Sequence, residues 1–166
     1  MRDGTQVEIR SICPADEPLM IKFHRSLSER SVYMRYFETL SLAARTAHRR
    51  LEQICFADPK RETVLVATHT HPLTGEQNIL AVARLGKLPD SKTAEVAALV
   101  SDEYQGRGLG TELMRRLIEH ARNQPIDRLT AEMLRDNTLI QSVLKKLGFR
   151  VRQLQDQRTV RAALDL

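Results

Sequence analysis

The chain has 166 residues, 42% hydrophobic and 28% charged, with a formal net charge of +5. That apolar fraction supports a buried core and excludes a disordered chain. No apolar run approaches the ~20 residues of a membrane span, and the opening MRDGTQVEIRSI lacks the apolar stretch of a signal peptide. The chain therefore reads as a single domain over residues 1–166, cytoplasmic and with no membrane partner. The positive charge favours a polyanionic partner, either nucleic acid or a phosphate-bearing small molecule. Only 4% of residues are aromatic, few for a surface that stacks bases, so nucleic acid is not expected. Cys13 and Cys55 have no CxxC spacing and read as reduced thiols.

In chain order, QVEIRSI (6–12) alternates and reads as a strand. Pro14 suits the first turn of a helix, with Asp16 and Glu17 near its positive end. Leu19, Met20, Phe23 and Leu27 give that helix one apolar face. SVYMRYF (31–37) suits a short second helix, and Ser41 suits the cap of a helix from Leu42 to about Ile54. ETVLVATHT (62–70) and NILAVARLGKL (78–88) read as a hairpin closed by HPLTGEQ, and LPDSK reads as the next turn. TAEVAALVS (93–101) is nearly all apolar, which predicts a central strand covered on both faces.

Gly106, Gly108 and Gly110 follow, and Leu113, Met114, Leu117, Ile118 and Ala121 then form the stripe of an amphipathic helix. DRLTAEML (127–134) is a strand. Asp136 or Asn137 caps a helix that ends at Gly148. FRVRQLQ and RTVRAAL are two last strands. The order predicts an α/β (α+β) fold: a mixed, mostly antiparallel central sheet of six to seven strands flanked by about four helices.

The glycine segment YQGRGLGTELMRRLIEHA (104–121) joins a strand to a helix N-terminus. It lacks the lysine of a P-loop. Its third glycine is one residue early for a dinucleotide fingerprint, and too few strand–helix units follow it. Glycines allow close backbone approach and positive φ, and free helical N–H groups with the helix dipole bind a diphosphate. Arg107 adds a charge-assisted contact.

Gln105-Gly106-Arg107-Gly108-Leu109-Gly110 resembles the Q/R-x-x-G-x-G/A signature of the GNAT (GCN5-related) N-acetyltransferases. Asn137, with Gly148-Phe149 after it, resembles the family's second motif, and the likeness covers about residues 79 to 150. LSERSVYMRYF (27–37) and AEVAALVSDEYQGRGLG (94–110) are similar to segments of the bacterial protein-lysine acetyltransferase branch. Members of that branch often carry a further acyl-CoA-synthetase-like or regulatory region, for which these 166 residues hold no counterpart. The resemblance implies a GNAT-like fold with acetyl-CoA as acyl donor, an amine acceptor such as a protein lysine, and a homodimer as an assembly to expect. It implies that Gln105, Gly106, Arg107, Gly108, Leu109, Gly110 and Thr111 hold the pyrophosphate. It further implies that Leu99 and Val100 bond the pantetheine arm where the strand splays from its neighbour, and that Asn137 touches the cofactor.

Acyl transfer to an amine requires removal of a proton, because an alkylamine has a pKa near ~10.4. Glu95 is the one acid inside the apolar strand, and Glu95-Val96-Ala97-Ala98-Leu99-Val100 reproduces the branch's E-x-A-x-L-V pattern, whose glutamate is the general base. Burial would raise its pKa toward the useful range. Pairing with Arg84 is the alternative. The family's usual tyrosine acid is replaced by Leu144. Tyr33, Tyr36 and Tyr104 are the substitutes to consider. Lys145 reads as solvated. His69 and His71 lie on one side of a strand end without further ligands in view, so no metal is expected. His24, His48 and His120 fall in helical patterns and read as structural or solvated.

Overall fold

The computed structural model describes residues 1, 4–89, 92–154 and 158–166. Within these the chain runs β1 (Glu8–Ser11), α1 (Glu17–Arg25), α2 (Glu29–Tyr36), α3 (Leu42–Arg45), α4 (His48–Cys55), β2 (Glu62–Thr70), β3 (Gln77–Lys87) and β4 (Thr93–Val100). It continues through α5 (Leu109–Arg122), β5 (Arg128–Leu134), α6 (Thr138–Lys146), β6 (Arg150–Gln153) and β7 (Thr159–Asp165). The seven strands form one sheet in the order β1-β2-β3-β4-β5-β7-β6. All neighbours are antiparallel except β4 and β5. The expected mixed, mostly antiparallel sheet is therefore present, with six helices among the described residues rather than about four. Residues 90 and 91 of the expected LPDSK turn lie outside the described residues.

Two cores sandwich the sheet. On one face α5 buries Leu113, Met114, Leu117, Ile118 and Ala121 against Ala83, Leu85, Val96 and Leu129. Leu113 and Leu117 are fully buried, worth roughly 1.5–3 kcal/mol each. The solvent side of α5 carries the ladder Glu112–Arg115, Glu112–Arg116 and Arg115–Glu119. On the other face α1, α2 and α4 bury Met20, Phe23, Val32 and Leu51 over Val66 and Ile79. Alternation along β4 divides its side chains: Ala94, Val96, Ala98 and Val100 face α5, and Leu99 faces α1 and α4, on the same side as Glu95 and Ala97.

The helix expected from Leu42 to Ile54 is two helices. Ser41 caps α3 through its side chain, bonding the Ala44 N–H at 3.2 Å. The helix breaks at Thr46–Ala47, where Ala47 takes φ −59°, ψ 130°, and α4 starts without a side-chain cap. At the far end, α6 closes as expected: Gly148 has φ 91°, and the Phe149 N–H reaches the Leu144 carbonyl at 3.0 Å. Among the described residues, no helix is long and apolar enough to cross a membrane.

Candidate functional site

The parallel pairing of β4 and β5 is three residue pairs long: Thr93 with Arg128, Ala94 with Leu129, and Glu95 with Thr130. Beyond Glu95 the two strands part. β4 continues against β3 to Val100, and β5 continues against β7 to Leu134. From Val96 onward one edge of β4 thus faces an opening instead of a strand. The opening is a cleft of about 600 Å³. Its walls are β4 (Val96–Val100), the glycine turn, β5 (Ala131–Met133) and the start of α6.

The turn is built for backbone approach. Gly106 has φ 74° and Gly108 φ 91°, conformations that a side chain disfavours. Gly108 stands at the N-cap of α5 with no side-chain cap, which leaves the first-turn N–H groups of this 14-residue helix without an internal partner. Gly110 lies inside the first turn, where a Cβ would meet only the Val100 side chain, at 3.5 Å.

Of the residues expected to bind the cofactor, Leu99, Val100, Gln105, Gly106, Gly108, Gly110, Thr111 and Asn137 line the cleft together. Arg107 and Leu109 do not. The Arg107 guanidinium lies over the Tyr104 ring, 5.2 Å from its centre. The Leu109 side chain is 4% exposed and belongs to the core, because as the first residue of α5 it begins the buried stripe. Asn137 caps α6, its Oδ1 accepting from the Ile140 N–H at 3.4 Å. Lys146 lines the cleft, whereas the neighbouring Lys145 does not.

The segment SVYMRYF shapes the cleft as part of α2, and what sequence reasoning missed is the tie between this helix and the glycine turn. Arg30, Ser31, Met34 and Arg35 line the cleft, although about seventy residues separate them from the glycine turn. Asp102 accepts from the Ser28 hydroxyl at 2.6 Å, the Ser28 N–H at 3.0 Å and the Ser31 hydroxyl at 2.8 Å. Burial pushes the Asp102 carboxyl up, but these hydrogen bonds together outweigh it and hold the group below the usual carboxylate range. Gln105 donates to both Ser31 Oγ (3.0 Å) and the Val100 carbonyl (3.1 Å). The S-x-x-S spacing of Ser28 and Ser31, beside a capping position, was the available signal.

Glu95 is exposed, which corrects the expectation of burial. It sits at the last rung before the split, where the covering helices α1 and α4 pack further along the sheet. The alternative pairing with Arg84 does not form either, because Arg84 pairs with Glu62 on β2. Glu95 instead lies within electrostatic reach of Arg35, whose guanidinium is lowered below its ordinary range first of all by burial. Leu144 is 0% exposed and part of the core. Of the tyrosines, Tyr104 lines the cleft, Tyr33 accepts from Arg158 at 2.9 Å, and Tyr36 lies on the opposite face of the sheet under Arg35 and Arg50. His48 pairs with Glu17, and His120 shares a 3.0 Å hydrogen bond with Thr63.

A split parallel pair, an uncapped helix behind a glycine turn, and the cationic groups Arg30 and Lys146 together suit a long phosphate-bearing ligand. Its phosphates meet the turn and its thin arm lies along the open edge of β4.

The family model described as an acetyltransferase (GNAT) domain matches residues 6–150. The chain is 30% identical over 149 residues to acetyltransferase Pat of Mycolicibacterium smegmatis, covering 89% of this chain and 42% of that protein. It is 27% identical over 147 residues to acetyltransferase PA5475 of Pseudomonas aeruginosa, covering 89% of this chain and 76% of that one. The GNAT domain of S. lividans PAT superposes with a TM-score of 0.85 at 26% identity, over 99% of this chain and 93% of that domain. The chain thus spans less than half of the length of Pat and most of the isolated PAT domain. Matched motif, matched split sheet and matched family model agree: the chain belongs to the GNAT family of N-acetyltransferases and stands beside the bacterial Pat proteins within it.

Proposed function

We propose that the protein transfers an acetyl group from acetyl-CoA to a primary amine by direct attack, with a protein lysine as the favoured acceptor and Glu95 as general base. The observation that carries this reading is the end of β4–β5 pairing at Glu95 and Thr130, which opens a cleft against an unpaired strand edge. In this reading the N–H groups at the start of α5, with Gly106 and Gly108, hold the diphosphate. The backbone of Leu99 and Val100 aligns the pantetheine arm and polarises the thioester carbonyl. The alkylammonium first gives one proton to the Glu95 carboxylate, and the neutral amine nitrogen then bonds to the carbonyl carbon. The C–S bond breaks, and the second proton that the nitrogen loses on becoming an amide passes through solvent to the thiolate. Glu95 is exposed and stands one residue outside the β4 lining of the cleft, which begins at Val96, so in this reading a water relays the proton. The thiolate is a good leaving group, with a pKa near ~8.5 by analogy with cysteine, so no tyrosine at position 144 is required.

Two other readings remain. The cleft also suits a small-molecule amine acetyltransferase. The fully buried Leu144, where the family places its acid, favours a non-catalytic acyl-CoA-binding sensor. Thiol release from acetyl-CoA with a panel of lysine peptides and small amines separates them. Tight acetyl-CoA binding without turnover of any acceptor would sink the transferase reading.

A further inference from the structure

On the face of the sheet away from α5, a second cavity of about 70 Å³ lies between α1, α2, α4 and the strands. Its polar lining is His24, Arg35, Tyr36, Arg50 and Arg84, over an apolar floor. It shares Arg35, Ala97 and Leu99 with the larger cleft, so the two cavities meet at the middle of β4. An acyl group lying along the edge of β4 would therefore be reached from this side.

The polar groups of this cavity are built for a ligand that none of the described side chains supplies. His24 is 1% exposed, and neither of its ring nitrogens has a hydrogen-bond partner. The buried Nε of Arg50 is also unpartnered. Arg35 and Arg50 both lie over Tyr36, at 5.1 and 4.7 Å from the ring centre, so two like charges are held together on one aromatic platform. Arg84 is neutralised by Glu62, and Glu95 attracts Arg35 without forming an ion pair. Arg50 makes no ion pair with any described acidic side chain. Arg45 is turned to Glu29 and adds its positive field to His24. Buried donors left unpaired are unfavourable, and so are adjacent cations without a counter-ion. One small anion relieves both.

We propose that this cavity is an anion subsite of the acceptor site, which takes a carboxylate carried by the amine substrate on Arg50 and His24. The planar guanidinium fork and the imidazole match a carboxylate, and the small volume fits that group rather than a bulky anion. The carboxylate is either the α-carboxylate of a free amino acid or an acidic side chain next to a target lysine. The acceptor role rests on the transferase reading above, whereas occupancy by an anion does not.

The test has two arms. In the first, acetate, acetamide and inorganic phosphate are titrated into the full chain while the His24 imidazole resonances are followed by NMR. Acetate is expected to shift them saturably, acetamide to leave them unmoved, and Arg50→Gln to weaken acetate at least tenfold with acetyl-CoA binding retained as the control for folding. Tighter binding of phosphate than of acetate, or no response of His24 to acetate, overturns the assignment. In the second arm, thiol release is compared for amino acids against their amides, and for lysine peptides with an adjacent acid against their neutral counterparts. The pair with a kcat/KM ratio of ten or more identifies the source of the carboxylate, and Arg50→Gln should bring that ratio close to one. Equal kcat/KM within both pairs removes the acceptor role. If acetate binds but no amine is turned over, the transferase reading falls and the anion site stands.

Discussion

Gln105 donates to the Ser31 hydroxyl at 3.0 Å, which ties the residue at the start of the glycine turn to α2. Asp102 reinforces the tie from the other side through Ser28 and Ser31. The wall of the cleft is thus fastened to a helix from a distant part of the chain. Asp102→Ala should loosen α2 and raise the KM for acetyl-CoA several-fold with a smaller change in kcat. The stability loss should be about 1 kcal/mol, since solvent reaches this carboxylate. Because the folded group is held below its ordinary pKa, its contribution is present at neutral pH and lost as pH falls below about 4. Urea unfolding at pH 7 and pH 3 checks the direction.

His24 makes stability fall with falling pH as well, but over a higher interval. Burial first, then the fields of Arg50 and Arg45, push it down to about 4. Above its ordinary value of 6.5 it is neutral in both folded and unfolded chains. Between 6.5 and 4 only the unfolded chain takes the proton, so stability falls with falling pH in that interval. The loss attributable to His24 between pH 7 and pH 5 is about 2 kcal/mol. His24→Leu should remove most of that loss, and denaturant midpoints at the two pH values measure it. An identical pH dependence in both proteins would refute it.

Glu95→Gln should lower kcat by about 100-fold and leave the KM for acetyl-CoA unchanged. Raising the pH to deprotonate the amine in solution should restore part of the rate. Full activity of the variant at neutral pH would remove Glu95 from the mechanism.

At Gly108 the backbone sits at φ 91°, so Gly108→Ala should cost about 1–2 kcal/mol and weaken acetyl-CoA binding. Gly110→Ala is expected to differ. It is helical and its new methyl meets only Val100, so thermal stability should hold while the narrowed cleft raises the KM.

Leu144→Tyr would restore the family's usual residue at a site with no exposed surface. Overpacking should destabilise the fold by about 1–3 kcal/mol, measured by thermal unfolding.

Most of this architecture was legible because its signals are local. Alternation marked β1, the Pro and Gly of HPLTGEQ marked the hairpin of β2 and β3, and the i, i+4 stripe marked α5. Gly148 marked the end of α6. The break at Thr46–Ala47 carried no glycine or proline to announce it. An acid within an apolar strand read as buried, but exposure depends on where helices pack, and α1 and α4 leave Glu95 uncovered. The hydrogen bond from Gln105 to Ser31, and the gathering of His24, Arg50 and Arg84 around one cavity, are long-range events of the fold. No spacing in the chain encodes them.

The three rungs between Thr93–Glu95 and Arg128–Thr130 have a mechanical consequence. They make a short seam between two plates, β1 to β4 on one side and β5 to β7 on the other, with α5 and its buried stripe laid behind it. A ligand bonded along Val96–Val100 and resting on the α6 side would act as a missing strand that closes the seam. Amide exchange along the open edge of β4 should then slow on donor binding more than anywhere else in the sheet.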